Sequence, residues 1–228
     1  MPTFAMLLVP GMTQLDLTGP YEVFARCPGA QVSLVWKNRE PVVSDQGLAI
    51  LPTAACGEVD APDVLFVPGG RGINALLTDA YLLGWLGGHA RQAAYVTSVC
   101  TGALLLGAAG LLRGKRATTH WSAMHLLPLF GAEPVQERVV IDGKLVTGGG
   151  VTAGIDFALR LVAEMAGIEV AQSIQLDIEY NPYPPFDAGH PDRAPAAMVR
   201  AVRAQAEPRQ NERREQVELA ALRLRLSV

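Results

Sequence analysis

Charged residues and cysteines are both scarce in this sequence of 228 residues. Charged residues make up 18% of the chain and the net charge is -3, while half of the residues (50%) are apolar. This composition excludes a disordered polar chain, and the absence of surplus positive charge argues against nucleic acid as a partner. Three cysteines, an odd number, are too few for a disulfide framework and are typical of a reducing compartment.

Signals for export, membrane insertion, nucleotides and metals are also missing. The first ten residues lack the basic segment and long apolar core of a signal peptide. The uncharged stretch 93–112 is long enough to span a bilayer, but polar residues and glycines interrupt it, so a buried strand leading into a buried helix is the better interpretation. No phosphate-loop motif and no Cys-x-x-Cys pair occur, and His120 and His125 are five residues apart. We therefore predict a cytoplasmic protein with neither a metal site nor a membrane partner.

Short apolar runs alternate with longer segments of helical spacing. The predicted strands cover 3–9, 32–36, 64–67 and 95–99, and the residues around Asp142-Gly143 form a hairpin over 139–146. Helices are predicted over 20–26 after a Thr18 cap, and over 79–91, 102–112, 152–165 and 170–178. This alternation predicts an α/β fold with a mostly parallel central sheet flanked by helices.

The composition changes near the end of the chain. Residues 180–195 contain five prolines, which predicts an extended loop or linker. Residues 196–228 are helical in composition and contain seven arginines and four glutamates. We predict one α/β catalytic domain over 1–195 and a helical extension over 196–228 that packs on the domain or on a partner subunit.

Cys100 is the sharpest candidate for chemistry. It ends the apolar run 95–99, and a helix is predicted to begin at Gly102. This strand–turn–helix context is that of a nucleophile elbow, which exposes the side chain at the carboxyl edge of the sheet. A helix N-terminus there favours the thiolate, so we predict a cysteine nucleophile; Cys27 and Cys56 lack this context and are interpreted as structural.

An acid and a glycine-rich turn follow two other strands. Asp16 lies between two leucines, where apolar surroundings raise the pKa of a carboxyl and allow it to donate a proton; the alternative is a helix cap. Gly69 and Gly70 follow the run 64–67, and free amides in such a turn can bind an anion. Trp121 and Val151 are candidates for lining the substrate pocket, with ordinary core packing as the alternative.

The motifs at 15–20, 67–70, 98–102 and 117–121 together resemble the ThiJ/PfpI superfamily, whose fold is flavodoxin-like and related to class I glutamine amidotransferases. The resemblance covers about residues 4–195. Segments 148–157 and 184–189 are most similar to its isocyanide hydratase branch. That branch implies a homodimer without cofactor that adds water to R–N≡C and releases an N-substituted formamide.

The resemblance also assigns roles to residues of this chain. Cys100 would be the nucleophile, Asp16 the general acid and base, and Thr101 with the amides near Gly70 would position the intermediate. Protease-like members have His after the nucleophile, where this chain has Thr101. A regulator branch adds a DNA-binding module, for which 196–228 is too short. The alternative is a non-enzymatic ligand-sensing, redox-sensing or stress-protection protein of the same superfamily.

Overall fold

The first strand of the chain lies inside the main sheet, with a parallel neighbour on each side. The computed structural model describes residues 1–226. The strands are β1 Thr3–Leu7, β2 Gln31–Trp36, β3 Val42–Val43, β4 Ala49–Ile50, β5 Ala54–Ala55, β6 Val64–Val67, β7 Tyr95–Val99, β8 Arg116–Ala117, β9 Glu133–Pro134, β10 Val139–Asp142 and β11 Leu145–Gly148. The helices are α1 Gln14–Phe24, α2 Ile73–Leu76, α3 Ala80–Gln92, α4 Gly102–Ala108, α5 Ala153–Ala166, α6 Ile168–Asp177 and α7 Ala196–Leu226. Two 3-10 helices, Cys56–Glu58 and Trp121–Phe130, complete the elements.

Seven strands form the main sheet in the order β10-β11-β7-β6-β1-β2-β5. All neighbouring pairs are parallel except the β10–β11 hairpin. Strands β6 and β7 pair in register, with Val67 opposite Ser98, so their carboxyl ends lie side by side. The prediction of a mostly parallel sheet flanked by helices is confirmed, and this edge is where such folds carry their sites.

Aromatic packing fixes the helices on the sheet. The ring of Phe24 in α1 stacks on Phe4 of β1, with ring centroids 4.7 Å apart. Phe24 also makes edge contacts with Phe66 of β6 and Phe157 of α5. All four side chains are fully buried, so α1 is held firmly against the sheet and its first turn is placed at the carboxyl end of β1.

Two helices differ from the sequence prediction. Helix α1 begins at Gln14 rather than at residue 20, and Thr18 lies inside it, where its hydroxyl donates to the Gln14 carbonyl oxygen. Pro20 is tolerated in this helix, and its ring packs directly over Gly154 of α5. Helix α4 ends at Ala108 rather than at residue 112, because Gly110 adopts a φ of 78°, which only glycine adopts readily.

Helix α7 packs on the rest of the chain through its second half. Val217, Ala220 and Ala221 are buried there, and Gln210 donates to the Ser122 hydroxyl at 2.8 Å. Most of its first half is exposed. Within residues 1–226, no helix combines the length and apolarity needed to cross a membrane. The division into domains at residue 195, and contact of the extension with a partner subunit, stay predictions.

Candidate active site

Cys100 occupies the junction between β7 and α4 in a strained backbone conformation. Its φ of 52° is one that residues with a side chain rarely adopt. Three hydrogen bonds hold it: its N–H donates to the carbonyl oxygens of Gly148 and Gly149, at 3.1 and 2.7 Å, and its own carbonyl accepts from the Thr119 hydroxyl at 2.7 Å. The side chain is only 5% exposed. Observed strain of this kind is characteristic of functional sites.

Asp16 faces the same point from the first turn of α1. Its carboxyl is fully buried, and Oδ2 accepts a hydrogen bond from the Gly69 N–H at 3.0 Å. Within residues 1–226, Oδ1 has no hydrogen-bond partner. The alternative that Asp16 is a helix cap is wrong, because Asp16 lies inside α1 and Thr13 precedes the first residue of that helix.

Gly69 is the point around which the three candidate groups converge. A Cβ at residue 69 would lie 2.5 Å from the Thr101 nitrogen, 2.7 Å from Cys100 Cβ and 2.8 Å from Asp16 Oδ2. These separations are shorter than any side chain tolerates, so only glycine fits here. The turn after β6 thus brings the cysteine and the carboxyl together.

Burial controls the protonation of this pair. Burial raises the pKa of Asp16 from its ordinary value of 3.8 to about 7, and the charge of Asp45 acts in the same direction. This agrees with the sequence-based interpretation of Asp16. Burial, followed by the negative charge of Asp16, raises the pKa of Cys100 well above its ordinary range, although the Thr101 N–H favours the thiolate.

The prediction that a helix N-terminus favours a thiolate at Cys100 stays a prediction. Burial and then the charge of Asp16 raise the pKa of the thiol, whereas the Thr101 N–H and the charge of Arg213 lower it. Asp16 is the nearby group that can exchange a proton with Cys100. The two residues form a coupled pair whose protonation must be considered jointly.

Thr101 and the glycine turn are engaged with each other. The Gly70 N–H donates to the Thr101 hydroxyl at 3.0 Å, and that hydroxyl lies 3.2 Å from the Gly70 carbonyl oxygen. Since the Gly69 N–H is bonded to Asp16, neither glycine amide is free. The expectation of free anion-binding amides in this turn is wrong, because the turn uses its donors to position Asp16 and Thr101.

A cavity of about 150 Å³ reaches Cys100 from outside, and we call it the Cys100 cavity. It is lined by Thr13, Asp45, Gly70, Arg71, Cys100, Thr101, His120, Ser122, Val151, Arg209 and Arg213. The structure thus places the predicted Gly70 and Val151 beside Cys100 and Thr101. Gly69 does not line the cavity, and Trp121 lines two adjoining grooves instead.

His120 is a neutral member of this cavity. Burial lowers its pKa to about 4, and the charges of Arg213 and Arg209 add to this shift. Its Nδ1 lies 2.8 Å from the Ser122 hydroxyl oxygen. A cysteine–imidazolium ion pair is therefore disfavoured, and Asp16 is the better partner for Cys100. No group of three potential metal ligands occurs among residues 1–226.

The sequence analysis missed the residues that α7 contributes. Arg213 is buried to all but 4% of its surface, and its Nε donates to Asn74 Oδ1 at 3.0 Å across 139 residues of sequence. Arg209 reaches the same cavity from one turn earlier. The mixture of arginine and glutamate in this segment is typical of a solvated helix, so no local pattern identified them.

A buried cysteine beside a protonatable carboxyl, at the carboxyl edge of a parallel sheet, defines an α/β protein equipped for cysteine chemistry on a small molecule. A family model described as DJ-1/PfpI family matches residues 3–164. The chain belongs to the DJ-1/PfpI family.

Known proteins that resemble this chain in sequence or in structure include further members of the family. An isonitrile hydratase from Pseudomonas putida is 54% identical over 220 residues, covering 96% of each chain. A ThiJ/PfpI family protein from Pseudomonas syringae has a crystal structure with a TM-score of 0.92, 44% identity, and coverage of 95% of this chain and 90% of its own. The HTH-type transcriptional regulator CdhR from Pseudomonas aeruginosa is 33% identical over 59% of this chain but only 40% of its own.

Proposed function

We propose that this protein is an isonitrile hydratase, a lyase that adds water to an isocyanide and releases the N-substituted formamide. The similarity to the Pseudomonas putida isonitrile hydratase over 96% of both chains supports the activity. The observation that carries the chemistry is the convergence of Cys100 and the buried Asp16 carboxyl over Gly69. The reaction needs both a soft nucleophile and a proton at one carbon, and this pair supplies them.

The proposed reaction begins with Cys100 as a thiol and Asp16 as a carboxylate. As Sγ bonds to the terminal isocyanide carbon, the thiol proton passes through Asp16 to that same carbon. The product of this step is the thioimidate R–N=CH–S–Cys100, in which both the sulfur and the hydrogen have been added to one carbon. Burial favours this route because it raises the pKa of Asp16 to about 7, so that the carboxylate readily takes up the thiol proton and passes it on.

Water completes the proposed cycle. It adds to the thioimidate carbon while Asp16 accepts a proton from the water and delivers one to the substrate nitrogen. The tetrahedral adduct R–NH–CH(OH)–S–Cys100 then loses Cys100, which leaves with the hydroxyl proton. The formamide R–NH–CHO is released and the thiol is restored. The net reaction is therefore R–N≡C plus H₂O giving R–NH–CHO. Thr101, fixed by Gly70, positions the adduct.

A redox-sensing or ligand-sensing role is the second candidate, favoured by the regulator relative. Sensor cysteines have a low pKa and are accessible. Cys100 is 5% exposed and its pKa is raised, which favours chemistry protected within a cavity over sensing. We further propose that the protein acts as a cytoplasmic homodimer.

The test is turnover of a simple alkyl isocyanide by purified protein, with the formamide detected directly. We expect wild type to turn over, Cys100→Ser to lose activity below detection and Asp16→Asn to fall by about 100-fold or more. Cys27→Ser is the matched control and should retain activity. Absence of turnover in wild type would refute the hydratase proposal, and full activity in Asp16→Asn would refute its acid–base role.

A further inference from the structure

Three guanidinium groups line the Cys100 cavity without a carboxylate partner. They belong to Arg71, Arg209 and Arg213. Within residues 1–226, none of them lies within 4.0 Å of an Asp or Glu oxygen, whereas six other arginines form such ion pairs. The cavity has one carboxylate of its own, Asp45, which accepts from the Thr13 hydroxyl at 3.2 Å. Positive charge is therefore in excess where a substrate would bind.

Arg213 is the arginine of the three whose charge is most deeply buried. It is buried, and its hydrogen bonds go to neutral oxygens, Asn74 Oδ1 at 3.0 Å and Gln210 Oε1 at 3.4 Å. The neighbouring Glu212 contacts the Asn74 amide at 3.4 Å rather than the guanidinium. Burial, together with the charge of Arg209, lowers the pKa of Arg213, and attraction to Cys100 and Glu212 offsets this only in part. An anionic ligand in the cavity would offset the remaining cost of burying the charge.

Arg209 stands where a substrate would enter. It lines both the Cys100 cavity and a larger groove of about 810 Å³ between α7 and the 3-10 helix Trp121–Phe130. His120 and Ser122 line both spaces as well, so the two spaces adjoin each other. A molecule whose reactive carbon reaches Cys100 from this groove would place its other end beside Arg209.

We propose that Arg209 and Arg213 form a subsite for the carboxylate of the substrate, so that the preferred substrates are compact isocyano carboxylates. The isocyanide carbon lies at Cys100, and the carboxylate lies between the two guanidinium groups of α7. A guanidinium binds a carboxylate with paired, charge-assisted hydrogen bonds. The substrate class rests on the proposed hydratase function, whereas the anion subsite itself rests on the charges alone.

The first test uses alkylation of Cys100 and needs no isocyanide. Iodoacetate and iodoacetamide form the same S–C bond with loss of iodide, but only the first carries a carboxylate. The measured quantity is the ratio of the alkylation rate with iodoacetate to that with iodoacetamide, and peptide mapping distinguishes Cys100 from Cys27 and Cys56. We expect this ratio to be about tenfold higher for Cys100 than for glutathione, which corresponds to about 1.4 kcal/mol. Arg209→Gln should abolish this preference. The Arg209 side chain makes no hydrogen bond within residues 1–226, so the substitution removes the charge without breaking one.

Arg214→Gln is the matched control. It removes the same charge from the same helix, but its side chain is exposed and paired with Glu218, so the preference should remain. A wild-type preference equal to that of glutathione, or one that is unchanged in Arg209→Gln, would overturn the subsite.

The second test compares turnover of isocyanoacetate with that of its methyl ester. We expect kcat/KM to favour the acid about tenfold in wild type, and Arg209→Gln to bring the ratio close to one. Turnover of the ester with no preference for the acid would overturn the substrate class while the hydratase function stands. Turnover of neither, with the iodoacetate preference intact, would refute isocyanide chemistry and retain the anion subsite.

Discussion

The two walls of the Cys100 cavity differ in how their polar groups are satisfied. The elbow wall consists of Asp16, Gly69, Cys100 and Thr101, and hydrogen bonds hold Asp16 Oδ2, the Thr101 hydroxyl and the Cys100 backbone in place. The helical wall consists of Arg209 and Arg213 of α7, whose guanidinium groups have no carboxylate partner in residues 1–226. The first wall is built for fixed geometry, and the second leaves charge available to a ligand.

This difference separates two tasks. Groups that form and break bonds must be held within a fraction of an ångström, which close backbone contacts achieve. Groups that select among substrates can sit on a separate element, because their contribution depends on charge and access. Changes in the elbow wall should therefore affect chemistry and stability strongly, and changes in α7 should affect them less.

The largest expected effect concerns the pH dependence of folding in Asp16→Asn. Burial raises the pKa of Asp16 to about 7 in the folded state, so the folded protein binds this proton more tightly than the unfolded chain. The stabilisation is fully present below the ordinary pKa of 3.8 and is lost as pH rises through 7. A shift of about three pKa units corresponds to about 4 kcal/mol. Asparagine does not titrate, so Asp16→Asn lacks this pH-dependent stabilisation. The wild-type free energy of unfolding, relative to that of the variant, should therefore fall by about 4 kcal/mol between pH 4 and pH 9, as measured by urea titration.

Asp142→Asn provides a control of opposite sign. Asp142 is half-buried at the end of β10, and the hydrogen bond from the Arg116 N–H lowers its pKa. Its stabilisation is present above its ordinary pKa and is lost on acidification. Parallel pH curves for wild type and Asp16→Asn would mean that folding does not raise the pKa of Asp16, and its role as a group that holds and returns a proton near neutral pH would fail.

Gly69→Ala tests the rigidity of the elbow wall with a single methyl group. That methyl would meet the Thr101 nitrogen, a backbone atom that cannot turn away. We expect a loss of about 3 kcal/mol in the free energy of unfolding and a fall of about 100-fold in kcat, since Cys100 and Asp16 are pushed apart.

Gly84→Ala is the matched control for this substitution. Gly84 lies on the exposed side of α3, and an added Cβ there meets nothing within 4 Å. The variant should keep full activity and be as stable as wild type or slightly more so, because alanine is the better helix former. Wild-type activity in Gly69→Ala would show that the site tolerates displacement and that its close contacts are unnecessary.

The elbow wall was largely predictable, because its signals are local. The apolar run before Cys100, the small residues after it and the glycines after β6 each indicate a strand that ends in a sharp turn. Parallel strands end at one edge, so the three groups had to meet there. Asp16 was interpreted correctly as an acid in apolar surroundings, although the helix that carries it begins six residues earlier than predicted.

The helical wall was not predictable, because nothing within α7 reveals which of its arginines face inwards. Arg213 is buried and Arg214 is exposed, yet they are adjacent and chemically identical. The distinction arises from Asn74, a residue 139 positions away in sequence. The raised pKa of Cys100 was missed for a related reason: burial is a property of the whole fold, whereas a helix N-terminus can be recognised locally.

The smallest expected effect is that of Val217→Ala, which loosens α7 without touching its charges. Val217 is fully buried, and loss of its two methyl groups should lower the free energy of unfolding by about 1–2 kcal/mol and the Tm by about 4 °C. Because the hydrogen bonds that hold the elbow wall come from outside α7, kcat for a neutral isocyanide should stay within about threefold of wild type. Leu219→Ala, on the same helix but 42% exposed, should change stability by less than about 0.5 kcal/mol. A large loss of kcat in Val217→Ala would show that α7 also holds the reacting groups, and the separation between the two walls would have to be abandoned.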